Sequence, residues 1–154
     1  MDRSNKIPSW DVNVVCKANV EAMTDPELVA IDLTDDERML MILGLNEYFG
    51  AAKRGWPLLV PLLGLSSTDE FRTLLYQLME AIESKKPLSD LDWVRALLLT
   101  EICWASQVLG AGIDFATNVR DEKAAPLLRS IQRKVSSYER FLLLRDNARV
   151  TAID

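Results

Sequence analysis

The chain contains no histidine. This absence excludes catalysis of the Ser-His-Asp and Cys-His types, and it removes the most common general base and a frequent zinc ligand. An enzyme without histidine usually depends on carboxylates with a metal, on lysine or on a cofactor. Neither G-x-x-x-x-G-K-[ST] nor G-x-G-x-x-G occurs, so no phosphate-binding loop is indicated. The sequence thus favours a protein that is not an enzyme, with no cofactor.

Paired carboxylates on one helical face remain as a possible metal site. Glu80 and Glu83 have that spacing, and all-α nucleotide pyrophosphohydrolases hold Mg²⁺ with such a pair. A second helical pair of the E-x-x-D type should face the first one, and the sequence has none. The Glu-x-x-His pairs of di-iron proteins are absent as well. We therefore expect Glu80 and Glu83 to lie on a solvated face, and we expect no metal site.

Cysteine, glycine, proline and long apolar runs are also scarce. The two cysteines, Cys16 and Cys103, are far apart and form no C-x-x-C motif. Glycine and proline number 6 each, too few for the many turns of a sandwich or barrel. The uncharged run 102–113 has 12 residues, whereas a membrane span needs about 20. With no signal peptide visible, we expect reduced thiols in a cytoplasmic protein that does not cross a membrane.

The formal net charge is −5, which disfavours general affinity for nucleic acid or anionic membranes. Residues 120–149 differ from the rest, since they carry 8 basic and 4 acidic side chains. Arg129, Arg133 and Arg140 lie off the apolar stripe there and could contact an anionic partner. The alternative, which we favour, is a solvated face beside the acidic remainder of the protein. A helix-turn-helix is disfavoured, because the helices are too long and apolar.

The length of 154 residues fits one domain. The sequence pattern predicts an all-α fold, a single compact bundle of five to six helices. The helical domain spans 34–146, follows a poorly defined segment 1–33 that packs on it, and precedes a frayed tail 147–154. Capping boxes begin two helices, at Thr34 with Glu37 and at Ser67 with Glu70, and Ser89 caps a third. The second helix has an apolar stripe of period 3.6 over 71–82. The stripe that we assign to the first helix comprises Met39, Ile42, Leu43, Leu45 and Phe49.

The bundle is expected to surround one long apolar helix over about 90–119. An apolar stripe runs from Leu91 to Val119 and keeps its phase through Gly110 and Gly112. A helix that is apolar on most of its circumference has to be covered by other elements. The alternative ends this helix at Gly110 or Gly112 and begins another near Asp114. A last helix is expected from about 123 or 126 to 144.

The first residues allow two interpretations. Val12, Val15, Cys16 and Val20 have helical spacing within 11–23, whereas Val12 and Val14 also fit a short alternating strand. We favour the helix, because a lone strand would have no partner in this chain.

Glu101 is the most interesting titratable residue, because its neighbours in the predicted central helix are apolar. It could be a carboxylate of raised pKa in a cleft, with Asp114 as a second polar contact and Trp93 and Trp104 as walls. The alternative, which we favour, is a core carboxylate that pairs with an arginine or an indole N–H, or that reaches a solvent edge.

The proline-bounded segment 55–64 is the best candidate for an exposed apolar patch. Trp56, Leu58, Leu59 and Leu62 could anchor a partner protein there. The alternative, which we favour, is that the segment caps one end of the bundle, with Trp56 packed inward.

Together these patterns favour a non-enzymatic, acidic cytoplasmic protein that binds another protein, such as an inhibitor, an immunity protein for a basic toxin or a regulatory adaptor. The first alternative is a small-molecule site or an enzyme between helices, centred on Glu101. The second is self-association through Gly112 and Ala116 or through the Trp56 segment. No family resemblance is evident.

Overall fold

The structure, a computed structural model, describes residues 25–149. The all-α prediction is confirmed: the described residues form six α-helices and one two-stranded antiparallel ladder. The helices are α1 (Asp35–Asn46), α2 (Trp56–Leu62), α3 (Thr68–Glu83), α4 (Asp90–Ala105), α5 (Asp121–Val135) and α6 (Tyr138–Asn147). The strands are β1 (Leu28–Val29) and β2 (Leu88–Ser89), and 3₁₀ helices occupy Glu47–Phe49, Lys53–Gly55 and Gly112–Thr117. No helix within 25–149 is long and apolar enough to cross a bilayer. The helix predicted over 11–23 lies outside the described residues.

Side-chain caps begin the helices where the sequence predicts them. Thr34 and Glu37 form the expected capping box at α1. Ser67 caps α3, but Glu70 accepts a hydrogen bond from the N–H of Ser66, so the second box is only half formed. Ser89 caps α4 through the N–H of Asp92. These caps accept hydrogen bonds from N–H groups of the first turn, which have no acceptor within the helix.

Helix α4 lies at the centre of the fold and contacts α1, α5 and α6. Tyr48, after α1, is fully buried, and its hydroxyl donates to the Leu99 carbonyl of α4 at 2.6 Å. The indole N–H of Trp93 donates to the Val29 carbonyl at 2.7 Å and ties β1 to α4. Both rings add buried apolar area to the core, and the polar atom of each ring has a hydrogen-bond acceptor.

The prediction of one helix over about 90–119 is wrong, because α4 ends at Ala105. The chain then folds back, and the Ala111 N–H donates to the Cys103 carbonyl at 3.0 Å. Gly110 lies against the backbone of Ile102 and Cys103, where a Cβ would overlap the Ile102 oxygen. Gly112 has φ +51°, in the left-handed region that favours glycine. These glycines make a turn, so Gly112 and Ala116 lie in a separate 3₁₀ helix and not on the face of one long α-helix.

The last predicted helix is two helices. It breaks at Ser136 and Ser137, and the Ser137 hydroxyl caps α6 by accepting from the N–H of Arg140. The guanidinium of Arg140 donates to the Val135 carbonyl at the end of α5. One arginine thus satisfies a C-terminal carbonyl and lies in the first turn of the next helix.

The buried face of α1 also differs from the predicted stripe. The fully buried apolar residues are Leu40, Met41 and Leu45, whereas Met39 is exposed. Glu37 is in phase with the buried residues and lies on the inner face with them. By contrast, the predicted stripe of α3 is confirmed, with Phe71, Leu74, Leu75, Leu78 and Ile82 buried.

Candidate functional site

Two clefts share the side chain of Trp104, which is partly buried near the end of α4. The larger, of about 400 Å³, lies towards the 3₁₀ helix and is lined by Trp104, Ala105, Gln107, Gly112, Ile113, Ala116 and Asp121. The smaller, of about 160 Å³, lies between α4 and α5 and is lined by Glu101, Trp104, Ala105, Ala125, Leu128, Arg129 and Gln132. We call these residues, together with Val108, which follows Gln107 in the chain, the Trp104 surface.

The smaller cleft has a wall of linked polar side chains. Arg129 donates to the Gln132 side-chain oxygen at 2.8 Å, and the Gln132 amide donates to Glu101 Oε1 at 2.6 Å. The amide therefore connects a guanidinium to a carboxylate, with each donor matched to an acceptor. On the other side, the Trp104 indole N–H donates to Asp121 Oδ1 at 3.1 Å. These bonds hold the ring edge and leave the ring beside both clefts.

Two apolar side chains of the Trp104 surface are strongly exposed. Val108 is 75% exposed and Ile113 is 76% exposed, the two highest values among the exposed large apolar side chains of the described residues. The Ile113 N–H donates to the Gln107 side-chain oxygen at 2.7 Å, which fixes the turn between them. Exposed aliphatic side chains beside a tryptophan are typical of a contact site for another molecule.

The structure brings together only part of the predicted ligand site. Glu101 and Trp104 line the same small cleft, and Arg129, predicted as a partner contact, joins them. Trp93 is 2% exposed and belongs to the core, so it forms no wall of this cleft. Asp114 is exposed on the 3₁₀ helix and does not line the cleft either. Glu101 is half-buried and bonded to an amide rather than to an arginine or an indole.

The candidate patch at segment 55–64 is not exposed as a unit, and Trp56 packs inward, as in the alternative that we favoured. Trp56 is buried, donates its indole N–H to the Tyr48 carbonyl at 2.7 Å and packs edge-on against Phe71. Leu59 is fully buried as well, so neither residue can anchor a partner. Leu58 and Leu62 remain exposed. Helix α2 is amphipathic because its two prolines still allow one buried face against α3.

The basic side chains near the end of the chain do not act as one face. Arg129 and Arg133 are exposed. Arg140 is largely buried and pairs with Asp90 at 2.8 Å, so it is used within the fold. Glu80 and Glu83 are exposed, as expected, and the Lys86 ammonium lowers the pKa of Glu80 through a hydrogen bond and its charge.

The most buried carboxylate among the described residues is Glu37, which was not predicted to lie in the core. Glu37 is 2% exposed and accepts hydrogen bonds from the Thr34 N–H and from Lys134 of α5, each at 2.8 Å. Burial raises the pKa of Glu37, but hydrogen bonds from Lys134, Ser130 and the Thr34 backbone lower it by more, so that it lies below its usual value. The capping box accounted for Glu37 in the sequence, so its position on the buried face of α1 was not predicted.

Among residues 25–149, the thiol of Cys103 is inert. Cys103 is fully buried, and burial raises the pKa of its thiol to about 12, so it is not a nucleophile at neutral pH. Cys16 lies outside the described residues. Within 25–149, no three acidic, cysteine or histidine side chains come together in a way that could hold a metal ion.

Comparison of the chain with models of protein families, with curated proteins and with solved structures found no match.

Proposed function

We propose that this protein is a non-enzymatic, acidic cytoplasmic protein that acts by binding another protein through the Trp104 surface. The observation that carries this proposal is the strong exposure of Ile113, which lines the larger cleft of Trp104, and of Val108, which follows the cleft residue Gln107 in the chain. Exposing such side chains to water is unfavourable, and burial against a partner recovers about 25 cal/mol per Å². An inhibitor, an immunity-type protein and a regulatory adaptor are all proteins of this kind.

The anatomy of the surface supports a protein partner rather than a small ligand. An aromatic side chain lies at the centre, apolar residues lie beside it, and Glu101, Arg129 and Asp121 line its edges. Interfaces commonly have this order of apolar centre and polar rim, with tryptophan and arginine enriched among the residues that dominate affinity.

The charge of the chain favours a basic partner. At a net charge of −5, a protein of positive charge is attracted over long range, which raises the association rate at low salt. We therefore expect association with the partner to slow as the ionic strength rises, while dissociation changes less.

The test compares the tagged chain of 154 residues with a variant that carries Val108→Ser and Ile113→Ser. Because both side chains are mostly exposed, the variant should fold normally. Capture from the native cell, followed by titration of the purified partner, should show an affinity lower by more than about tenfold for the variant.

Leu58→Ser is the matched control, since Leu58 is also strongly exposed but lies on α2. It should bind the partner as the wild type does. Equal binding by all three proteins would place the interface elsewhere, and the absence of any partner that binds as a purified protein would contradict the function itself.

A small-molecule site is the second candidate, favoured by the convergence of Glu101, Arg129 and Gln132 on one cleft. Its volume of about 160 Å³ is below the 300–1,000 Å³ usual for ligand pockets, so only a ligand of a few heavy atoms would fit. Because this volume is small, we place the small-molecule site second to a protein partner.

Glu101→Gln separates a site from a structural role. We expect the free energy of unfolding to change by less than about 1 kcal/mol, because a glutamine oxygen can still accept from the Gln132 amide. Thermal-shift screening of small cationic and zwitterionic compounds on both proteins provides the measurement. A compound that stabilises the wild type but not the variant would favour this second candidate.

A further inference from the structure

The larger cleft of the Trp104 surface places a carboxylate beside an aromatic ring. Trp104 and Asp121 both line it, and none of the described residues that line it is basic. Asp121 accepts the Trp104 indole N–H at 3.1 Å, which uses only part of the hydrogen-bonding capacity of its two oxygens. None of the ion pairs formed among residues 25–149 includes Asp121. The cleft therefore presents a negative charge and an indole ring to an incoming group.

The fold contains a complete arrangement of these groups at another tryptophan. The Arg72 guanidinium lies 5.6 Å from the ring centroid of Trp56 and 3.3 Å from Asp69 Oδ1. The ring attracts the cation through its charge distribution, and the carboxylate accepts a charge-assisted hydrogen bond from it. One arginine is thus held by an indole and a carboxylate together. Trp104 and Asp121 supply the same two groups in the larger cleft.

The rest of the cleft suits the stem of an arginine. Ile113 and Ala116 line it, and arginine commonly packs its aliphatic stem on apolar surface while its charged end meets polar groups. The volume of about 400 Å³ lies within the roughly 300–1,000 Å³ usual for sites that enclose a ligand. A planar guanidinium stacks on a ring and forks to a carboxylate, whereas the ammonium of lysine does neither.

We propose that the larger cleft holds an arginine side chain of the protein partner, with its guanidinium over the Trp104 ring and hydrogen-bonded to Asp121. This inference rests on the proposed function, because the arginine belongs to the protein that binds the Trp104 surface. Val108 and Ile113 then contact the partner on either side of the arginine. The net charge of −5 favours a partner with such a basic side chain at its surface.

A short peptide tests the cleft without the partner. Acetyl-glycyl-arginyl-glycinamide is titrated into the protein, and ¹H–¹⁵N NMR follows the Trp104 indole N–H, which is assigned by its loss in Trp104→Phe. We expect a saturable shift with a Kd on the order of 1–10 mM, since one side chain makes few contacts. The citrulline peptide, which keeps the shape without the charge, should bind at least about tenfold more weakly. The lysine peptide should bind several-fold more weakly.

Asp121→Asn keeps an oxygen for the indole N–H and removes the charge, so it should weaken the arginine peptide at least about fivefold. Asp114→Asn is the matched control, because it removes the same charge from the 3₁₀ helix outside the cleft. It should bind the peptide as the wild type does. Trp104→Leu, followed at the Ile113 amide, is a second variant for use if circular dichroism shows that Asp121→Asn does not fold.

Three outcomes of the titration would overturn the inference. They are equal binding of the arginine and citrulline peptides, equal weakening by Asp121→Asn and Asp114→Asn, and binding of free arginine about tenfold tighter than the peptide, which would identify a small molecule as the occupant.

The purified partner separates this inference from the proposed function. A partner that loses affinity for the Val108→Ser and Ile113→Ser variant, but binds Asp121→Asn as it binds the wild type, would contradict the arginine and leave the proposed function intact. Loss of affinity in Asp121→Asn and not in Asp114→Asn would support both.

Discussion

Replacing Lys134 with methionine should lower the free energy of unfolding by about 2–3 kcal/mol at pH 7. Lys134 is one-third exposed, but its partner Glu37 is almost completely buried, and the two atoms are 2.8 Å apart. Removing one member of a buried ion pair leaves the other charge in a poorly solvating environment, which typically costs about 3–5 kcal/mol. Because the lysine is one-third exposed, our value lies at or just below the lower end of this range. Urea denaturation measures it.

Lys123→Met is the matched control, because Lys123 also extends from α5 towards α1. It lies 3.9 Å from Asp36, and both side chains are mostly exposed. Exposed pairs contribute at most about 1 kcal/mol, so this variant should remain close to the wild type. An equal loss in both variants would mean that burial of Glu37 is not what makes Lys134 important.

The same pair predicts how stability depends on pH. The pKa of Glu37 is lower in the folded protein than its ordinary value of 4.5, so the unfolded chain takes up the proton more readily. This contribution is therefore present at neutral pH and is lost as the pH falls below about 4.5. In Lys134→Met, burial is less fully offset and the pKa of Glu37 should rise. The difference in stability between wild type and variant should consequently narrow between pH 7 and pH 3.

Gly110→Ala should lower the free energy of unfolding by about 3 kcal/mol, at the upper end of the range for overpacking. The added Cβ would overlap the carbonyl oxygen of Ile102 and lie 2.7 Å from the Cα of Cys103. Both neighbours are backbone atoms of α4, so no side-chain rotation can relieve the contact. The chain would have to move away and weaken the bond between Ala111 and Cys103.

Gly44→Ala is the informative comparison for that variant. Gly44 is also buried against α4, but a Cβ there would lie 3.5 Å from Thr100 Cγ2, an ordinary contact distance. Because Gly44 is inside α1, alanine should stabilise the protein by up to about 1 kcal/mol through helix propensity. Opposite signs for two glycine substitutions in one denaturation series would support the role of Gly110. A neutral Gly110→Ala would contradict the close packing of that turn.

Gly110 and Gly112 show that the periodicity of apolar residues does not by itself predict where a buried helix ends. The apolar stripe of the central stretch continues in phase past Gly110 and Gly112, and we gave this continuity more weight than the glycines. The structure ends α4 at Ala105 because the chain folds back onto its last turn. This packing brings the turn against residues of α4 that one continuous helix would have placed in a different turn. In a buried stretch most residues are apolar. An apolar stripe there does not show whether the helix continues or the chain turns back.

The buried carboxylate is Glu37, whereas Glu101 reaches a solvent edge, one of the environments that we predicted for it. Glu101 has apolar neighbours in the sequence, but it lies at the edge of a cleft and is bonded to Gln132. Glu37 has polar neighbours and is the one that is buried. Burial depends on which face of a helix meets the bundle, and in α1 that face includes Leu40, Met41 and Glu37. Sequence neighbours are a poor guide to spatial neighbours in a helix, where the residues three and four positions away share a face.

The sequence by itself determined the helical class, the starts of α1, α3 and α4 and the buried stripe of α3. These features depend on local interactions, namely caps within one turn and a regular period of apolar residues. Tertiary structure decided the end of α4, the burial of Glu37, and the meeting of Glu101, Trp104 and Arg129 at one cleft. Each of these features depends on contacts between residues far apart in the chain, and the local pattern does not contain them.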